Sequence, residues 1–150
     1  MISAVLDTNV LVSALIVTRG KPAQIVDYIQ ARKFQLILSD DILIEAREVL
    51  QRKHIQRRFQ PSPADIDEYL GRLRGISQMV AVREIENVIV NDPPDNLILA
   101  CAREGSADYL VSGNDHLLAL REHHHTQVVS PARFLTLLDS LPDPERSITA

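Results

Sequence analysis

Short apolar runs alternate along this chain with stretches whose apolar residues recur every three or four positions, a pattern of buried strands separated by amphipathic helices. Residues 2–6, Ile-Ser-Ala-Val-Leu, form the first run, and Val10, Leu11, Ala14 and Leu15 follow at helical spacing. A helix over 22–33 carries Ile25, Val26 and Ile29 on one side, and Leu36-Ile37-Leu38 is a second strand ending at Ser39, a good N-cap. From there a helix over 40–53 gathers Ile42, Leu43, Ala46, Val49 and Leu50 on one stripe. The next helix opens at Ser62-Pro63 and carries Ile66, Tyr69, Leu70 and Leu73, before a third strand at Met79-Val80-Ala81-Val82. A polar turn, Asn91-Asp92-Pro93-Pro94, leads into a helix over 95–104. A fourth strand is expected at Tyr109-Leu110-Val111, a short helix up to Arg121, a minor fifth strand at Val128-Val129, and a last helix from Ser130-Pro131 to about Leu141.

Strands and helices that alternate in this way predict an α/β fold: a doubly wound, mainly parallel sheet of four to five strands with helices on both faces. With 150 residues and 45% hydrophobic content the chain has material for one core. The expected organisation is one domain over 1–141 and a polar tail over 142–150. Residues 51–62 are basic and the least periodic part of the first half, and read as a mobile connection between two helices. No apolar run is long enough to cross a bilayer and the start lacks a secretion signal, so a cytoplasmic protein with no membrane association is expected. Cys101, the single cysteine, lies in the apolar run 97–102 and is expected to be a packed core thiol. A net charge of −4 argues against holding nucleic acid by bulk positive charge, but leaves room for a local basic path beside an acidic pocket.

The acids carry the candidate chemistry. Asp7 stands where the first strand gives way to a helix, and in an open α/β sheet the carboxyl ends of the strands form the ligand crevice. Glu45 lies at the edge of the apolar stripe of its helix while Glu48 points nearly opposite, into solvent. Asp95 shares a helical row with Ile98, Leu99 and Ala102, and also suits a helix first turn, where the macrodipole favours an anion. Asp92 is better explained as a cap. Asp115 follows Ser112-Gly113-Asn114 directly after the fourth strand. Each acid has an ordinary explanation as a cap, turn or boundary residue; their coincidence at one crevice is what points to a divalent cation, which would relieve the repulsion. Ligands that are all oxygen favour Mg²⁺ or Mn²⁺ over zinc.

The segments Val5-Leu6-Asp7-Thr8-Asn9-Val10-Leu11-Val12-Ser13, Glu45-Ala46-Arg47-Glu48-Val49-Leu50, Asp92-Pro93-Pro94-Asp95-Asn96-Leu97-Ile98-Leu99-Ala100-Cys101-Ala102 and Ala107-Asp108-Tyr109-Leu110-Val111-Ser112-Gly113-Asn114-Asp115-His116-Leu117-Leu118, in this order and spacing, resemble the PIN-domain ribonucleases, especially their bacterial toxin-like branch. The resemblance spans residues 2 to about 138. It implies that Asp7, Glu45 and Asp95 match the family's metal-binding acids, that Asn9 and Ser112 are polar supports, and that a small antitoxin protein is the partner. Homodimers are common among such look-alikes. Many relatives read Thr-Gly-Asp where this chain reads Ser112-Gly113-Asn114, with Asp115 one residue late. Asn114 and Asp115 are therefore alternatives for the fourth ligand, and the full charge favours Asp115.

The chemistry so inferred is metal-assisted hydrolysis of an RNA phosphodiester at Asp7, Glu45, Asp95 and Asp115. Arg52, Lys53, Arg57 and Arg58 form the best local basic segment for the RNA strand, with Arg47 on the helix of Glu45, although a solvated helix end explains them slightly better. Consecutive histidines cannot all face one centre, so His123-His124-His125 reads as an exposed loop. With 4% aromatic residues, base stacking contributes little. Haloacid-dehalogenase-like phosphatases need a second Asp where Asn9 stands, and receiver domains need a lysine after the last strands, where this chain has none. The remaining rival is a PIN-like binding module that has lost catalysis and acts through a protein or RNA partner.

Overall fold

The computed structural model describes residues 1–89 and 92–142. Its elements are β1 (Ser3–Leu6), α1 (Thr8–Ile16), α2 (Lys21–Gln30), β2 (Gln35–Leu38), α3 (Asp40–Leu50), α4 (Lys53–Phe59), α5 (Pro63–Ile76), β3 (Gln78–Met79), α6 (Pro93–Glu104), β4 (Tyr109–Val111), α7 (Asp115–Leu118), β5 (Glu122–His123), β6 (Thr126–Val129) and α8 (Pro131–Asp139). Asn91 of the expected polar turn and most of the expected tail lie outside the described residues.

Among the described residues the sheet has six strands in the order β3-β2-β1-β4-β6-β5, parallel except for the antiparallel edge pair β5–β6. The chain runs outward from β1 through β2 to β3, then returns to the other side of β1 at β4. Right-handed crossovers in opposite directions lie on opposite faces, which is the doubly wound arrangement. β1 and β4 are neighbours, with Leu6 opposite Val111, so the ends of these two strands open the crevice at the point of reversal.

Ala4, Val5, Leu6, Leu36, Ile37, Leu38, Leu110 and Val111 are fully buried, as two-sided coverage of parallel strands requires. Phe134 of α8 meets Phe34 edge-on at 5.0 Å between ring centres, locking the last helix against the entry to β2. Gly105 ends α6 where a Cβ would stand 2.6 Å from Ile37 Cγ2, so the close approach of α6 to β2 requires the missing side chain. Cys101 is buried in this core.

Three expectations need correction. Residues 51–62 are not a plain connection: Lys53–Phe59 form the helix α4, anchored by buried Ile55 and closed by Gln60 in the left-handed conformation. The third strand is two residues long, because after the bond from Val80 N–H to the Leu38 carbonyl residues 80–89 leave the ladder. The sheet exceeds five strands, since Glu122–His123 fold back on Thr126–Val129 and extend its edge. No described helix is long and apolar enough to cross a membrane.

Candidate active site

Asp7 is placed by two elements at once. Its N–H bonds the Val111 carbonyl at 2.9 Å, prolonging the β1–β4 ladder, while its own carbonyl accepts from Val10 and Leu11 and starts α1. The side chain is 3% exposed and takes a 2.6 Å hydrogen bond from the Ser112 hydroxyl, with a longer one from Asn9 N–H. Asn9 thus supports Asp7 through its backbone, and its side chain is exposed.

Ser112 continues the chain of contacts. Its Oγ accepts from Asn114 N–H at 2.9 Å, and Asn114 Nδ2 donates to Asp95 Oδ2 at 3.0 Å. Asp95 stands in the first turn of α6, 6% exposed, its N–H held by the Asp92 cap at 3.4 Å. Glu45 enters from the middle of α3, half-buried as its angular position predicts, while Glu48 is exposed. Thr8 Oγ1 donates to Glu45 Oε2 at 3.0 Å, tying α3 to the start of α1.

Electrostatics sets these acids apart from the surface carboxylates. Burial holds Asp7 above its ordinary pKa despite the Ser112 bond, and the charge of Asp92 adds to the effect. Glu45 is raised by burial, against the Thr8 bond, with Asp7 contributing and Arg52 opposing. Asp95 is pushed up to about 6, by burial first and then by Asp92, Asp7 and Glu45. Among the described residues no three of these carboxyls bring oxygens within 4.8 Å of one another. A divalent cation bound between them would offset the repulsion among their charges. The donors are all oxygen, the set that suits a hard ion such as Mg²⁺ or Mn²⁺.

The structure thus brings Asp7, Glu45, Asp95, Ser112 and Asn114 together but leaves Asp115 apart. Asp115 is exposed at the first position of α7 and touches none of these acids, whereas Asn114 caps α7 by accepting from His116 N–H and turns its amide to Asp95. Of the two expected alternatives in this turn, Asn114 is the one that meets Asp95, and Asp115 heads the exposed start of α7. Thr8, hidden in a capping tripeptide, escaped the sequence reading; Asp92 is the expected cap, and its charge also acts on Asp7 and Asp95. The signal for Asp92 was its spacing, three residues before Asp95 at a helix start.

On the basic side, Arg52, Lys53, Arg57 and Arg58 are exposed on and before α4, and Arg52 lies close enough to act on the Glu45 carboxyl. Arg58 packs over the Phe59 ring. Arg47 is instead paired with Asp67 of α5.

Comparison with known proteins agrees with this fold. A relative from Methanocaldococcus jannaschii, Uncharacterized protein MJ1680, is 28% identical over 151 residues, covering 89% of this chain and 90% of the relative. The crystal structure of VapBC2 from Rickettsia felis bound to a DNA fragment from their promoter contains a chain with a similar fold, at a TM-score of 0.57 and 14% identity, covering 86% of this chain and 98% of that one. The family model described as PIN domain matches residues 3–116, a span that holds every acid of the crevice, and the chain belongs to the PIN-domain family.

Proposed function

We propose that this protein is a cytoplasmic, metal-dependent endoribonuclease that hydrolyses RNA phosphodiester bonds, and that it is the toxin of a toxin–antitoxin pair. The observation that carries the reading is the meeting of Asp7, Glu45 and Asp95 at the point where the sheet reverses, all three with raised carboxyl pKa values. Asp7 and Asp95 would hold the ion, with Glu45 beside them; Asn114 faces Asp95 with its Nδ2 while its amide oxygen caps α7. An ion held there, Mg²⁺ or Mn²⁺, would supply Lewis-acid chemistry, polarising a phosphoryl oxygen and lowering the pKa of a bound water.

The chain's own residues do the positioning. Ser112 fixes the Asp7 carboxylate, and Thr8 fixes Glu45 by Oε2, leaving Oε1 to orient a water. Asn114 links the β4 end to α6 by its hydrogen bond to Asp95. Arg52 and the exposed cations of α4 offer a path for the phosphate backbone next to the acids. An antitoxin partner is supported by the toxin-like sequence resemblance and by the fold likeness to VapBC2.

The test is cleavage of single-stranded RNA by the purified chain with Mg²⁺ or Mn²⁺. Activity should disappear with EDTA and with Asp7→Asn; cleavage that survives either would overturn the proposal. A second reading, a PIN-like module that binds without cutting, is favoured by one contact: Asn114 puts an N–H donor on Asp95 where a further acid would add charge. Undiminished RNA binding by a folded wild-type protein that cuts nothing with either ion would select it.

A further inference from the structure

We propose that Glu86, His123 and His124 form a second metal site, for a divalent d-block cation such as Zn²⁺, at the β5 edge of the sheet and separate from the acidic crevice. In a regular strand, neighbouring side chains point to opposite faces, so His123 and His124 would diverge. They do not, because the chain turns between β5 and β6 at His124, whose φ of 55° is left-handed. That turn brings the two rings edge to face at 4.4 Å between centres. One ring nitrogen from each then lies within 4.8 Å of the other and of a Glu86 oxygen, the one such grouping of three potential ligands among the described residues.

The donor chemistry selects the ion. Two imidazoles and a carboxylate are the ligand set of zinc sites that keep a fourth position open for water, whereas imidazole nitrogen is a poor ligand for Mg²⁺. Ligands of a tetrahedral zinc ion at ~2.0–2.2 Å are roughly 3.3 Å apart. His124 Nε2 and Glu86 Oε1 already stand at 3.0 Å, so closure asks only for rotation of partly exposed side chains. Arg103 opposes the ion, since it pairs with Glu86; that ion pair and the His124 bond both fall on Oε1, and Oε2 carries neither.

A bound ion would tie the β5–β6 hairpin to residues 80–89, the stretch that leads toward α6. That stretch is otherwise clasped by buried Asn96, whose amide oxygen takes the Val88 and Ile89 N–H groups at 3.0 and 2.9 Å. Zinc at this edge should therefore stiffen the approach to the helix that carries Asp95.

The test uses untagged, chelator-stripped full chain, titrated with Zn²⁺ in excess Mg²⁺, against the double variant Glu86→Gln/His124→Asn. Glutamine keeps the volume of Glu86, and asparagine tolerates the left-handed backbone at 124. Wild type should bind one more Zn²⁺ per chain than the variant and show a larger rise in Tm with zinc, while both retain the acidic crevice. Equal stoichiometry and equal Tm shifts would overturn the proposal. Should the variant misfold, the wild-type His ring resonances decide: those of His123 and His124 must change in step up to one equivalent of Zn²⁺, and failure to do so sinks it.

Discussion

Asn114 donates its side-chain amide to Asp95 Oδ2 at 3.0 Å, and its backbone N–H is held by the same Ser112 hydroxyl that donates to Asp7. Asn114 thus joins the two most buried acids of the crevice, Asp95 directly through its side chain and Asp7 through its backbone and Ser112. Replacing it by an acid converts an attraction into a repulsion. Asn114→Asp keeps the capping oxygen for α7 but should cost the metal-free protein about 1–3 kcal/mol, the scale of a hydrogen bond to a charged group. With Mg²⁺ present the added charge becomes a ligand, so binding should tighten and the stability loss shrink. Asp115→Asn should match wild type in the same titration, because Asp115 is exposed and away from the cluster. A metal-binding loss in Asp115→Asn comparable to that of Asp7→Asn would restore it to the site.

Asp7→Asn and Asp95→Asn should each abolish RNA cleavage while leaving the fold intact. Each exchange removes a charge at nearly constant volume from a group whose ionised form burial already disfavours. Without metal the Tm should be unchanged or higher, and the stabilisation by Mg²⁺ or Mn²⁺ should shrink in proportion to the lost affinity. Full activity in either variant would take that residue out of the site, and failure to fold would give it a structural role.

The raised carboxyl pKa values fix the sign of a pH effect. A group with a higher pKa in the folded than in the unfolded state binds more protons when folded, so stability falls as pH rises through the interval between the two values. For Asp95 that interval runs from 3.8 to about 6, and Asp7 and Glu45 act in the same direction. In EDTA, the Tm difference between wild type and Asp95→Asn should therefore move against wild type from pH 4 to pH 7. Saturating Mg²⁺ should reverse the trend, since the ion selects the ionised carboxylates and releases their protons. A Tm difference that stays flat in EDTA over this range would contradict the raised pKa of Asp95.

How far the sequence could be read depends on how each residue is placed. Asp7, Glu45 and Asp95 were legible because a strand end or a helical row determines their direction, and the strand Tyr109–Val111 emerged with its bounds intact. Asn114 and Asp115 differ by one residue in a tight turn, where composition does not say which side chain faces inward. The helix α4 buries only Ile55, too little to leave a periodic stripe. β5 is a pair of polar residues held by the edge of an existing sheet, so its strand character comes from its partner and not from its own sequence.

The basic segment yields the last test, with a built-in control. Arg52, Lys53, Arg57 and Arg58 are exposed, Arg52 near enough to act on Glu45, while Arg47 projects from the same helix as Glu45 but is paired with Asp67 across α3 and α5. If the first four neutralise phosphates, changing them to Gln should weaken RNA binding alike for all sequences. The slope of log affinity against log salt should then flatten by roughly 0.7 for each phosphate of a single strand that is no longer neutralised. Cleavage at saturating RNA should change little, because these cations guide the strand and do not touch the reacting phosphate. Arg47→Gln should leave the salt slope alone and cost about 0–1 kcal/mol of stability, the worth of an exposed ion pair. A slope unchanged in the fourfold variant would return α4 to the role of a solvated helix. A slope reduced by Arg47→Gln alone would mean that Arg47 leaves Asp67 when RNA arrives.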